Sequence, residues 1–141
     1  MKKVVALGAA AGVGRRMKSS RPKTLLEIEG RPVLSWTLEA FQRHPLIDEI
    51  VLVFQPGLLK EARALVRRYR FTKVKSIVAG GATRQASVRN GLAAVDPRAS
   101  LVAIHDGARP CVDPESISRV LSAAERCGAA ILGVPVKPTI K

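Results

Sequence analysis

Three short stretches of this chain combine small residues with cations or hydroxyls at spacings that suit phosphate chemistry. The first is Gly8-Ala9-Ala10-Ala11-Gly12-Val13-Gly14, followed directly by Arg15 and Arg16 and, one loop later, by Lys23. Small residues let a backbone approach a bulky anion, and consecutive N–H groups in such a turn form a concavity for phosphate oxygens. The second stretch is Gly80-Gly81-Ala82-Thr83-Arg84-Gln85-Ala86-Ser87, a glycine pair opening into a helical pattern that carries hydroxyls. The third is His105-Asp106-Gly107-Ala108-Arg109-Pro110, a carboxylate three residues before an arginine. Together these residue types allow binding of a nucleotide triphosphate and transfer at one of its phosphates. Two frequent owners of glycine-rich loops are excluded. Met17 stands where the dinucleotide fingerprint needs its third glycine, and no Gly-Lys-Ser/Thr follows to make a P-loop.

Such residues act together only if secondary structure brings them to one place. Apolar, β-branched runs at residues 3–7, 49–54, 74–79, 101–105 and 129–134 read as strands. Helical patterns lie between them. The first begins at Pro32, with Val33, Leu34, Leu38 and Phe41 at helical spacing. The second spans residues 58–69, and the third starts near Thr83 with Val88, Leu92 and Val95 on one face. The fourth follows Asp113 as N-cap and Pro114 as first residue, with Ile117, Val120, Leu121 and Ala124 inward. Strands alternating with helices predict a three-layer α/β/α, Rossmann-like, mostly parallel sheet. In such sheets ligands sit beyond the carboxyl ends of the strands, and the three stretches follow the first, third and fourth of them.

Length and composition bound the rest. A chain of 141 residues makes one domain over residues 1–141, and 47% hydrophobic with 25% charged residues is ordinary for a globular protein. The charge balance is not ordinary: 24 Lys and Arg against 11 Asp and Glu give a net +13. Part of the excess is Lys60, Arg63, Arg67, Arg68, Arg70, Lys73 and Lys75, which reads first as a solvated helix face. Nucleic-acid binding through this charge is disfavoured, because aromatics are only 4% and no stacking motif accompanies it. Cys111 and Cys127 have neither a CxxC spacing nor a nearby His, so they predict no metal site and no disulfide, and they suit a reducing cytoplasm. No apolar run reaches the ~20 residues of a membrane span, and no membrane partner is expected.

In detail the chain resembles the 2-C-methyl-D-erythritol 4-phosphate cytidylyltransferase family of the non-mevalonate isoprenoid pathway, within the nucleotidyltransferases. The matching pieces are residues 10–17, Pro22-Lys23, residues 30–34, residues 80–88, residues 105–110 and Pro135-Val136. The resemblance implies a nucleotide-diphospho-sugar-transferase type of fold. It implies attack by a sugar-phosphate oxygen on the α-phosphate of CTP, with pyrophosphate leaving. On the same basis Arg16 and Lys23 would stabilise charge at the α-phosphate, and Ala10, Ala11 and Gly12 would meet the nucleotide through their backbone. Gly81, Ala82 and Ser87 would hold cytosine and ribose, and Gly107 would approach the ribose or cytosine. Asp106 would ligate Mg²⁺, while Arg109 and Thr139 would bind the acceptor phosphate.

Each assignment has a plain structural alternative. Arg15 and Arg84 could be solvated charges, Asp106 could cap its turn, His105 could simply pack, Ser87 could bond within its helix, and Arg109 could pair with Asp113. The chain also departs from the family pattern. Pro138 stands where the family usually carries Asp, and family members continue past residue 141 with a protruding β-arm that pairs two subunits. The expectation is therefore a chain lacking its C-terminal portion, whose complete parent is a homodimer. Two rival readings share the same loops: a ribitol-5-phosphate cytidylyltransferase, and a CTP-binding fragment or pseudoenzyme without turnover.

Overall fold

A computed structural model of the chain describes residues 2–13 and 21–137. Four strands form one parallel sheet: β1 (Lys3–Ala10), β4 (Glu49–Phe54), β5 (Val74–Ala79) and β6 (Ala99–Asp106), in the order β5-β4-β1-β6. Between β1 and β4 a two-stranded hairpin, β2 (Glu27–Ile28) and β3 (Arg31–Pro32), turns through Glu29 and Gly30, both at positive φ. Among the described residues there are four α-helices: α1 (Val33–Arg43), α2 (Leu59–Arg68), α3 (Arg84–Ala93) and α4 (Pro114–Cys127). The chain steps outward from β1 through β4 to β5, then returns to the other side of β1 with β6. That reversal opens a crevice beside β1 at the carboxyl edge of the sheet.

The period-2 alternation of the central strands sorts the core into two faces. Val4, Ala6 and Ala10 of β1 and Ile50, Leu52 and Phe54 of β4 share one cluster with residues of α1, α2 and α4. Val5, Leu7, Val51 and Val53 are also buried, and α3 packs on that side through Gly91. A Cβ at Gly91 would stand 2.6 Å from Val53 Cγ2 and 2.7 Å from Leu7 Cδ1. Close approach of helix to sheet is what the glycine permits there.

The α/β/α layering expected from the alternation is observed, with three corrections in detail. Strand β1 runs on through Gly8, Ala9 and Ala10, because their backbones continue the ladder opposite Leu52, Val53 and Phe54. The inward face of α3 consists of Ser87 and Gly91, whereas Leu92 is 43% exposed. Bulk at that interface would hold the helix away from the sheet. No strand forms at residues 129–134: after Gly128, the C-cap of α4 at φ +87°, the chain does not rejoin the sheet, and Ile131 is 93% exposed. An apolar, β-branched run needs a ladder partner to become a strand, and none of the described strands pairs with it.

Candidate nucleotide-binding cleft

The turns after β1, β5 and β6 meet with the start of α3 around a cleft of about 820 Å³. Its lining includes Ala10, Ala11, Gly12, Lys23, Gly81, Ala82, Ser87, Asp106 and Arg109, nine of the residues singled out from the sequence. Gly107 is buried beneath the cleft, its N–H donating to Ala9 O at 2.9 Å and its carbonyl accepting from Thr37 Oγ1 at 2.8 Å. It holds the β6 turn to β1 and does not line the opening. Arg15, Arg16, Pro138 and Thr139 lie outside the described residues.

Each wall of the cleft is fixed by identifiable bonds. Gly80 N–H donates to Phe54 O at 2.8 Å, which extends the sheet pairing one residue beyond β5. A Cβ at Gly80 would stand 2.2 Å from the Ala11 Cβ, so the first and second loops touch only because this residue has no side chain. Ser87 Oγ accepts from Gly81 N–H at 3.1 Å and leaves its own hydroxyl proton free to donate. The helix cap is made by its neighbour: Thr83 Oγ1 accepts from Ala86 N–H at 3.0 Å. Asn90 adds a strut, its side-chain amide donating to Ala79 O at 3.0 Å.

Opposite them, Gln55 at the end of β4 donates from Nε2 to Gly12 O at 2.9 Å and pins the first loop to the sheet. Sequence reasoning passed over both Gln55 and Asn90, since an isolated amide at a strand end or mid-helix belongs to no motif. Thr24 lines the same cleft with only 5% of its surface exposed, and its Oγ1 has no partner among the described residues. A hydroxyl buried without a partner is costly, and a ligand oxygen or water would satisfy it.

Charge is concentrated on the β6 side. Asp106 Oδ1 accepts from Arg84 Nη2 at 2.8 Å, and Asp106 Oδ2 accepts from Arg109 Nε at 3.1 Å. Partial burial works against the charged carboxylate, yet the Arg84 hydrogen bond and the positive charges of Arg84 and Arg109 outweigh it and hold Asp106 below its ordinary range. Arg109 thus pairs with Asp106, and Asp113 is occupied instead in capping α4, where it accepts from Ser116 N–H at 2.8 Å. His105 packs edge-on against Phe41 with ring centroids 5.1 Å apart. Burial pushes its imidazole below the usual histidine range, against the opposing pull of Asp106. Lys23, Arg84 and Arg109 face the single carboxylate of Asp106 across the lining, a surplus of positive charge suited to a polyphosphate.

A family model described as 2-C-methyl-D-erythritol 4-phosphate cytidylyltransferase matches residues 4–141. The chain is 50% identical over 140 residues to the protein of that name from Syntrophus aciditrophicus, covering 99% of this chain and 60% of the relative. The crystal structure of 4-diphosphocytidyl-2C-methyl-D-erythritol synthase from Anaerococcus prevotii is similar with a TM-score of 0.75 and 32% identity, over 89% of this chain and 52% of that one. A protein from Mycobacterium tuberculosis H37Rv, solved in complex with manganese, is similar with a TM-score of 0.67 and 25% identity, over 89% of this chain and 61% of that one. The chain therefore spans about 60% of the length of the curated relatives it matches.

Proposed function

The chain belongs to the 2-C-methyl-D-erythritol 4-phosphate cytidylyltransferase family, and from that premise we propose that it carries the CTP-binding half of a cytidylyl transfer. In this reaction an oxygen of the acceptor phosphate attacks the α-phosphorus of CTP. The bond from that phosphorus to its bridging oxygen breaks, pyrophosphate leaves, and 4-diphosphocytidyl-2-C-methyl-D-erythritol forms. The observation that supports this reading best is the convergence of three strand-end loops on one cleft whose lining sets three cations against one carboxylate.

Within that reading, Lys23 and Arg16 offset the charge that builds on the α-phosphate oxygens as the new bond forms. Backbone groups of Ala10, Ala11 and Gly12 cradle the phosphates, with Gln55 holding Gly12 in place. Gly81, Ala82 and the free hydroxyl proton of Ser87 face the base and ribose, while Gly107 acts through the turn it anchors. Arg109 and Thr139 receive the acceptor phosphate. No general base is required, because the attacking phosphate oxygen is already anionic.

Asp106 would hold a divalent cation, Mg²⁺ in this family reading. No group of three or more His, Cys, Asp or Glu side chains is placed to hold a metal among the described residues. A single carboxylate at a phosphate cleft nevertheless fits Mg²⁺, which retains waters and takes most other ligands from substrate phosphates. When bound, such an ion screens phosphate charge. The substrates are small molecules, and a reducing cytoplasm suits the exposed, free Cys111 and Cys127.

The test is an assay of pyrophosphate release from CTP and Mg²⁺ with either methylerythritol phosphate or ribitol 5-phosphate. Release with the first acceptor alone supports the proposal; release with the second alone favours the ribitol enzyme. CTP binding without release with either acceptor would leave a binding domain only. Lys23→Ala should lower turnover by about 10²–10³-fold with the fold intact. Turnover equal to wild type would overturn its role.

A further inference from the structure

Asp106 gives each of its carboxylate oxygens to a different arginine, and the two arginines are not equivalent. Arg109 lies three residues away in the same turn, where its backbone N–H also donates to Asp106 O at 3.2 Å. Arg84 comes from the first residue of α3, 22 positions earlier in the chain, and spans the cleft to reach Oδ1 at 2.8 Å. Its side chain is 64% exposed, and among the described residues its ion pair is with Asp106. An ion pair this open is weak and can be exchanged at small cost. A guanidinium on Oδ1 disfavours a divalent cation at the same oxygen, because the two positive charges repel at contact distance.

We propose that Arg84 is a placeholder on Asp106: it neutralises the carboxylate until a divalent cation takes Oδ1, and the released guanidinium then binds the phosphates of the nucleotide. This rests on the reading of Asp106 as the cation ligand. The geometry suits the exchange, since Arg84 lines the same cleft as the Gly12 loop and Lys23. Arg109, tethered in its turn, stays with Oδ2. The cleft keeps a cation opposite Asp106 in either state.

Two measurements on the same variant should move in opposite directions. Mn²⁺ alone, titrated into the labelled chain, broadens amide signals near Asp106. In Arg84→Gln half-maximal broadening should need about 2- to 5-fold less Mn²⁺, because the competing cation is gone. Affinity of the same variant for CTP in saturating Mg²⁺ should fall about tenfold or more, with Arg84→Lys recovering part of it. A merely structural role for Arg84 in starting α3 would weaken both. Unchanged or weaker Mn²⁺ binding in Arg84→Gln, or unchanged CTP affinity, would overturn the proposal. Asp106→Asn separates this from a failure of the underlying reading. If it leaves the Mn²⁺ broadening untouched, the cation does not bind Asp106 at all, and both ideas fall together.

Discussion

Strands β4 and β6 flank β1 on opposite sides, yet they are finished to different degrees. Ile50, Leu52, Val53 and Phe54 of β4 are each 0% exposed, whereas Ile104 of β6 is 46% exposed. β4 has a strand on each side, and both of its faces are covered. Among the described residues β6 has one ladder neighbour, and α4 leaves a cavity of about 450 Å³ between itself and the strand. The cleft straddles this contrast. Its Gly12 and Gly80 walls are anchored to the ends of β1, β4 and β5 by Gln55 and by the Gly80-to-Phe54 bond. Its Asp106 and Arg109 wall hangs from the edge strand and is tied back through Gly107. A rigid floor on the β4 side suits a group that must hold a nucleotide in register. An open flank on the β6 side leaves Arg84 room to change partners.

The sharpest way to break this contrast is to remove equal bulk from each side. Leu52→Ala should cost about 2–5 kcal/mol in denaturant unfolding, since a fully buried leucine leaves a cavity in a close-packed sheet. Ile104→Ala should cost clearly less, because almost half of that side chain already faces solvent. Equal losses would show that the edge strand is packed as tightly as the centre, and the comparison would fail.

A smaller effect on stability but a larger one on binding is expected at Gly80. A Cβ there meets Ala11 Cβ at 2.2 Å and Ser87 Oγ at 2.9 Å, so Gly80→Val must push the two loops apart. Such overpacking typically costs ~1–3 kcal/mol, and the displaced loops should lose CTP affinity in calorimetric titration. Retained CTP affinity would mean that the wall on the β4 side is less rigid than its bonds imply.

How much of this could be read beforehand follows the same divide. Strands at 49–54 and 74–79 were legible to the residue, because continuous apolar β-branched runs have few other ways to be buried. Gly8, Ala9 and Ala10 look like loop residues by composition, and only their register opposite Leu52, Val53 and Phe54 makes them strand. Val88 and Leu92 carry a helical pattern, but the demand for close approach put Ser87 and Gly91 inside instead. Residues 129–134 match the buried strands in composition, which cannot say whether a partner is present. At the cleft, glycines and hydroxyls announced three loops. Gln55, Asn90 and the Arg84–Asp106–Arg109 linkage depend on which ends of which strands meet, and that is a property of topology.

The gentlest probe lies at residue 131. Ile131 is 93% exposed and Val134 87% exposed, although both belong to the run that composition assigned to a strand. If the segment makes no stabilising contact in this chain, Ile131→Ser should change unfolding stability by less than about 0.5 kcal/mol, as at other exposed positions. It should also improve solubility, because exposed isoleucine, leucine and valine beside an open strand edge invite association. A loss approaching that of Leu52→Ala would show that residues 129–134 pack against β6 in solution after all. In that case the β6 side would be as closed as the β4 side, and Arg84 would not have the room that exchange on Asp106 requires.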